Sequence, residues 1–244
     1  MALKKFLVVF FVFTTVLLAS AAPMKLSDAD PAMRPWVGVY GSVKESCFCI
    51  FIGYNVGSGF FVTPSGYAVT NSHVVRLEAN KGVQTIDGAY HRFRVVAEDQ
   101  LNDLAILKVT GTKPYKPSVI GRSGDLKVGD PVMAVGNPQG IGFTATQGII
   151  SAIGRTAMSD YGPANNLLQT DTSIDHGNSG GPLFNIIGQV IGVMSAGKTD
   201  VHGLNFAIPM DKVITLLPLM LSPEKRYGFI LGMIVDQAGA VTEV

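Results

Sequence analysis

The chain has 244 residues, 47% hydrophobic and 15% charged, with 28 glycines and 13 prolines, enough for a sizeable core and many turns. Its formal charge is +1, without a basic stripe or basic-aromatic interleaving, which argues against nucleic acid as a partner; no dinucleotide fingerprint points to a nucleotide either. Short aromatic and β-branched runs, broken by Gly, Pro, Asn and Asp, indicate an all-β chain rather than one of long helices.

Residues 1–21 read as a secretory signal peptide. Lys4 and Lys5 make a positive start, Phe6 to Leu18 is apolar, and Ala19-Ser20-Ala21 offers small residues for cleavage. The apolar run is shorter than the ~20 residues a spanning helix needs. Cleavage would leave 17 basic against 18 acidic residues and a mature protein that is exported, periplasmic or secreted. Residues 22–35 form a flexible, polar, proline-containing lead-in, and strands are expected from Trp36 onward.

Cys47 and Cys49 are the only cysteines. On a strand their Cα atoms would lie about 6.5–7 Å apart, at the upper edge of disulfide reach. Two buried thiols fit better than a strained bridge. The remaining histidines suggest no ligand set, so no metal and no cofactor is expected.

Gly59–Val62, Thr63–Gly66 and Tyr67–Thr70 read as strand, tight turn and strand, with proline and glycine suited to the turn. Asp87-Gly88 marks a second hairpin between 83–86 and 91–96, and Leu104–Val109 is a buried strand. Two prolines and two lysines in residues 111–117 cannot continue a central strand, so this segment is the crossing between two halves. Strands follow at 131–135, 144–153, 167–170, 181–184, 189–194 and 203–208. A short helix over 210–217 is expected to stop near Pro218. Around six strands in each half suggest two barrels, one over residues 36–110 and one over 118–209.

The sharpest chemical signal is Gly177-Asn178-Ser179-Gly180-Gly181. A serine hydroxyl needs a base to take its proton, and the developing oxyanion needs donors already aimed at it. Gly177 lets the backbone turn its N–H groups inward, making those of Gly177 and Ser179 the expected donors. His73, in Thr70-Asn71-Ser72-His73-Val74-Val75, ends a strand where an imidazole can face a cleft. Asp103, just before the buried strand, can accept a bond from His73 Nδ1. In the order His, Asp, Ser these residues supply every role of a catalytic triad. Gly177-x-Ser179-x-Gly181 also fits the elbow of α/β hydrolases, with Asp200 and His202 following. That elbow must lead into a helix, whereas Pro182 and the hairpin around Gly188 follow here, and the reading is rejected.

TNSHVV, NDLAILKV and GNSGGPL, with GSGFFVTPSGYAVTNSHVV, LKVGDPVMAVGNPQGIGFTATQGIISAIGR, LQTDTSIDHGNSGGPLFN and GLNFAIP, resemble the signatures of the HtrA/Deg (DegP-like) serine proteases from about Gly57 to Leu217. The resemblance implies a chymotrypsin-like pair of six-stranded antiparallel barrels with the site in the groove between them. It also implies ATP-independent endoproteolysis of unfolded or damaged polypeptides. His73, Asp103 and Ser179 match the family's triad, and Gly177 and Asn178 its oxyanion loop. Val193, Met194, Ser195 and Ala196 correspond to the edge that pairs with extended substrate. Ile174, Met194 and the stretch from Leu204 to Phe206 correspond to the primary specificity pocket. Ser173 stands where trypsin-like enzymes keep an acid, so an apolar pocket should reject Lys and Arg.

Two departures stand out. His176 replaces the family's usual proline before the oxyanion glycine. Residues 218–244 are too few for a complete PDZ domain of about 90 residues. Family trimers make a homotrimer the expected assembly, with contacts near Trp36. A catalytically idle, chaperone-like binder of unfolded polypeptides is the alternative function.

Overall fold

A computed structural model describes residues 35–53, 55–76, 81–137, 142–159, 162–173, 177–195, 203–221, 234–235 and 241–243. The expected signal peptide and the lead-in up to residue 34 lie outside these residues.

Two seven-stranded sheets carry the chain, one from each half. In the first, β1 (Cys47–Ile52) pairs with β2 (Asn55–Phe61) and with β4 (Lys81–Thr85). β3 (Tyr67–Thr70) lies between β2 and β7 (Leu104–Val109); β5 (Tyr90–His91) and β6 (Phe93–Asp99) are the two edges. This sheet curls into an open half-barrel. The second holds β8 (Val119–Ile120), β9 (Pro131–Gly136), β10 (Thr144–Ser159), β11 (Gly162–Thr170), β12 (Pro182–Asn185), β13 (Gln189–Met194) and β14 (Asn205–Pro209). Because β12 pairs with both β9 and β13, six of these strands close into a ring. β8 joins outside it, parallel to β13. The architecture is a chymotrypsin-like double barrel with a C-terminal helix, α3 (Met210–Met220). A small antiparallel pair, β15 (Ile234–Val235) with β16 (Val241–Glu243), follows.

Successive side chains of a strand point to opposite faces, and here both faces find a core. Phe48, Ile50, Phe61, Ala68, Ala105 and Leu107 fill the first barrel. Their neighbours Cys47, Phe60, Val69, Leu104 and Ile106 point the other way, into a layer shared with Met133, Val135, Phe184 and Val193 of the second sheet. Val132, Ala134, Leu168, Leu183 and Ile191 fill the second barrel. This double burial is why Leu104–Leu107 reads as a continuous apolar run instead of alternating.

Three expectations are corrected. The chain after Trp36 is not strand but helix α1 (Pro35–Val43) and a 3-10 turn (Lys44–Ser46). Val39 and Val43, one helical turn apart, are buried and approach the β12–β13 turn at Gly188; Pro35 is tolerated because a first-turn N–H has no helical partner. The Asp87-Gly88 hairpin closes only over Tyr90–His91, after which Phe93–Asp99 leaves β4 and pairs with β7. α3 runs through Pro218 to Met220; proline at this end removes one hydrogen bond but keeps a helical φ. Cys47 and Cys49 are buried free thiols.

Candidate active site

His73 sits on α2 (Ser72–Val75), a single turn directly after β3. Ser72 donates its hydroxyl to Glu98 Oε1 at 2.6 Å, tying that turn to β6. Asp103 closes the turn before β7, where the Asp99 carboxylate accepts from the Asn102 backbone and side chain and Asp103 N–H donates to the Gln100 carbonyl. Its φ of 52° costs an L-residue roughly 1–2 kcal/mol, though Asp bears it better than most.

Four further hydrogen bonds hold Asp103 there. Its carboxylate accepts from the His73 backbone N–H at 3.0 Å, from the His73 ring and from Ser195 Oγ at 3.0 Å. Its carbonyl accepts from Asn71 Nδ2 at 2.8 Å. His73 Nδ1 lies 2.9 Å from both Asp103 oxygens. A carboxylate only accepts, so Nδ1 carries the ring proton and Nε2 is left as the acceptor. The His73 side chain is 32% exposed and that of Asp103 15%: the imidazole reaches solvent while the carboxylate behind it is largely covered.

The Ser179 loop belongs to the second sheet and is pinned through its backbone. Ser58 of β2 donates its hydroxyl to the Gly177 carbonyl at 2.6 Å and its N–H to the Ser179 carbonyl at 2.9 Å. Gly181 N–H donates to the Asn178 carbonyl at 3.0 Å, and Gly180 N–H to the Met194 carbonyl at 2.8 Å. Gly180, at φ 82°, abuts Thr70 Oγ1, the Ser58 carbonyl and the Asn71 backbone nitrogen. The residue after the serine thus touches the segment two residues before the histidine. Among the described residues, neither Ser179 Oγ nor the N–H groups of Gly177 and Ser179 make a hydrogen bond. Asn178 is buried, its Nδ2 3.4 Å from the Ser173 carbonyl.

Residues 57–193 match the trypsin-like peptidase domain. The chain belongs to the trypsin-like peptidases. Within that family it is 37% identical over 187 residues to a probable periplasmic serine endoprotease, DegP-like, of Pseudomonas savastanoi pv. phaseolicola; the match covers 75% of this chain and 38% of the relative. The chain thus spans under half the length of the curated relatives it matches. Among solved structures, Deg5 superposes with a TM-score of 0.69 at 33% identity, covering 80% of this chain and 97% of that one. The HtrA-type protease AlgW with tripeptide gives 0.71 at 30% identity, covering 78% and 64%.

The other candidate residues divide clearly. Met194 is fully buried among the second barrel's core side chains. Val193 and Met194 are paired on both sides, with β12 or the Gly180-Gly181 turn and with β14. They are therefore not an open edge, contrary to what the family resemblance implies, because β13 lies inside a closed ring. A free edge can begin only at Ser195, whose N–H donates to the Phe206 carbonyl. Leu204 is half-buried and Phe206 is buried, both against the inter-barrel layer. Ile174, His176 and Ala196 lie outside the described residues. Sequence reasoning missed the roles of Asn71, Ser58 and the Ser195 hydroxyl. They meet their partners across 32, 119 and 92 residues, distances over which no local pattern signals a contact.

Proposed function

We propose that the chain is a serine endopeptidase whose catalytic residues are Ser179, His73 and Asp103. The observation that carries this reading is the His73–Asp103 pair, which leaves Nε2 of a neutral imidazole as a proton acceptor. Ser179 Oγ attacks the scissile carbonyl carbon and its proton passes to Nε2. The carbonyl oxygen, now negative, is received by the N–H groups of Gly177 and Ser179, with Asn178 spanning the loop between them. The C–N bond then breaks, the amine leaves with the proton from Nε2, and water hydrolyses the acyl-enzyme by the same route. A longer Ser–His separation in the free enzyme is compatible with this, since such bonds often tighten only with substrate bound.

The peptidase unit runs over residues 36–217 and acts on unfolded or extended polypeptides, which Ser195 onward would pair with through main-chain bonds. An apolar pocket near Leu204 would favour aliphatic side chains. Export rests on the leader-like residues 1–21 and on the word periplasmic in the DegP-like relatives' names. Envelope protein quality control follows as the role, and a homotrimer as the assembly.

A fluorophosphonate probe tests the chemistry. Wild-type protein should be labelled and should cleave unfolded casein. Ser179→Ala should lose labelling and roughly 10⁴–10⁶ in rate while keeping its melting temperature. Binding of casein by a wild type that takes up no probe would instead identify a chaperone-like binder and end the proposal.

A further inference from the structure

Ser58 is the residue through which the first barrel holds the nucleophile loop of the second. It makes four polar contacts. Its Oγ donates to the Gly177 carbonyl at 2.6 Å and accepts from the Asn137 N–H at 3.1 Å. Its N–H donates to the Ser179 carbonyl at 2.9 Å, and its carbonyl accepts from Thr70 Oγ1 at 2.7 Å. The side chain is buried, 1% exposed. Space around it is closed: a Cβ placed on Gly136 would lie 3.0 Å from Ser58 Oγ, and one on Gly181 3.2 Å from Ser58 Cβ.

A peptide unit is planar and trans, so holding its C=O in one direction aims its N–H in the other. Three successive carbonyls of the loop are held. Ser58 Oγ takes that of Gly177, Gly181 N–H that of Asn178, and Ser58 N–H that of Ser179. The middle bond aims the Ser179 N–H. The outer two, both from Ser58, bracket it and stop the flanking peptide units from rotating. The hydroxyl bond is also the one that reaches Gly177, whose φ of 114° lies where a glycine has wide freedom and needs an outside restraint. Because Asn137 N–H donates to the same hydroxyl, the Ser58 proton is directed away from that nitrogen and toward the Gly177 carbonyl.

We infer that Ser58 is a positioning residue: its hydroxyl fixes the Gly177–Asn178 peptide unit and so keeps the loop that carries Ser179 preorganised for oxyanion binding. This rests on the proposed peptidase reading. It requires that removing the hydroxyl slow the chemical step and leave substrate binding alone, because Ser58, 1% exposed, offers a substrate almost no surface.

The test compares wild type with Ser58→Ala and Ser58→Cys. It reads the fluorophosphonate acylation rate, kcat and KM on an unfolded casein peptide, the pH profile and the melting temperature. Ser58→Ala should acylate about 10- to 100-fold more slowly, with kcat reduced alike, KM within twofold of wild type and the pH profile unmoved. Ser58→Cys keeps a weak donor and should recover part of the loss; it carries the test alone if the alanine variant does not fold. Acylation within twofold of wild type in the folded variants, or a raised KM at unchanged kcat, overturns the inference while the peptidase reading stands. A wild type that the probe never labels removes that reading first, so the two failures are distinct.

Discussion

The two sides of the candidate site are held by different kinds of bond. On the first-barrel side the chemistry-bearing groups are fixed through side chains, His73 by the Asp103 carboxylate and that carboxylate by Ser195 Oγ, with Asn71 Nδ2 on the Asp103 carbonyl. On the second-barrel side the Ser179 loop is fixed largely through its own carbonyls, and Ser58, a side-chain clamp on it, comes from the other barrel. A histidine must keep one tautomer and one orientation, which a carboxylate can impose. An oxyanion site must keep N–H directions, which only restraint of the peptide units can impose. The two halves should therefore fail differently: the first by loss of charge at constant shape, the second by change of shape at constant charge.

Asp103→Asn breaks the first half most severely. Asparagine accepts a positive φ about as readily as aspartate, so the turn should persist and the melting temperature should move little. Its amide, however, offers a donor where His73 Nδ1 now meets two acceptors, which favours the wrong ring tautomer. A fall of about 10⁴ in kcat is expected from equivalent changes elsewhere. A variant retaining more than a tenth of wild-type kcat would show that Asp103 does not govern the imidazole.

Gly180→Ala breaks the second half through shape. The new methyl would overlap Thr70 Oγ1 and the Ser58 carbonyl, and the φ of 82° would add strain. Backbone atoms of both barrels must move, so a loss of about 3 kcal/mol or more in unfolding free energy is expected, with activity lost alongside. Denaturant melts that match wild type would mean that the loop does not approach the first barrel as closely as the structure has it.

Much of this was legible in the residues. Thr63-Pro64-Ser65-Gly66 and the Gly188 turn state their chemistry locally, and each closes a hairpin in the structure, though the first strand begins at Asn55 rather than Gly59. His73 and Asp103 could be nominated because each lies beside a strongly apolar strand. What local pattern could not carry was the meaning of a second buried face. The family resemblance makes Met194 a pocket residue, yet its side chain belongs to the second barrel's core and its backbone to the ring. Helix α1 was missed because Pro-Trp-Val-Gly-Val is a weak helix former. It holds through Val39 and Val43 packing on a surface far along the chain.

The smallest effect concerns the inter-barrel wall rather than either half of the site, and it is a pH dependence that appears only in alkali. Cys47 and Cys49 are sealed on β1, and burial pushes both thiols up to about 12; Asn137, bonded to Cys49, pulls only weakly the other way. Thiol reactivity follows the thiolate, so native protein at pH 8 should show no reaction with a disulfide reagent and two reactive thiols once unfolded. In the unfolded chain the thiols deprotonate near pH 9, whereas the folded chain keeps its protons to about 12. Between those values the folded state binds more protons, so raising the pH favours unfolding. This contribution to stability is present in full below about pH 9 and is lost progressively toward pH 12. Urea melts across that window should show stability falling more steeply for wild type than for Cys47→Ala/Cys49→Ala, with the two curves parallel below pH 9. Parallel curves throughout, or fast labelling of the native protein at pH 8, would show that water reaches the layer between the barrels.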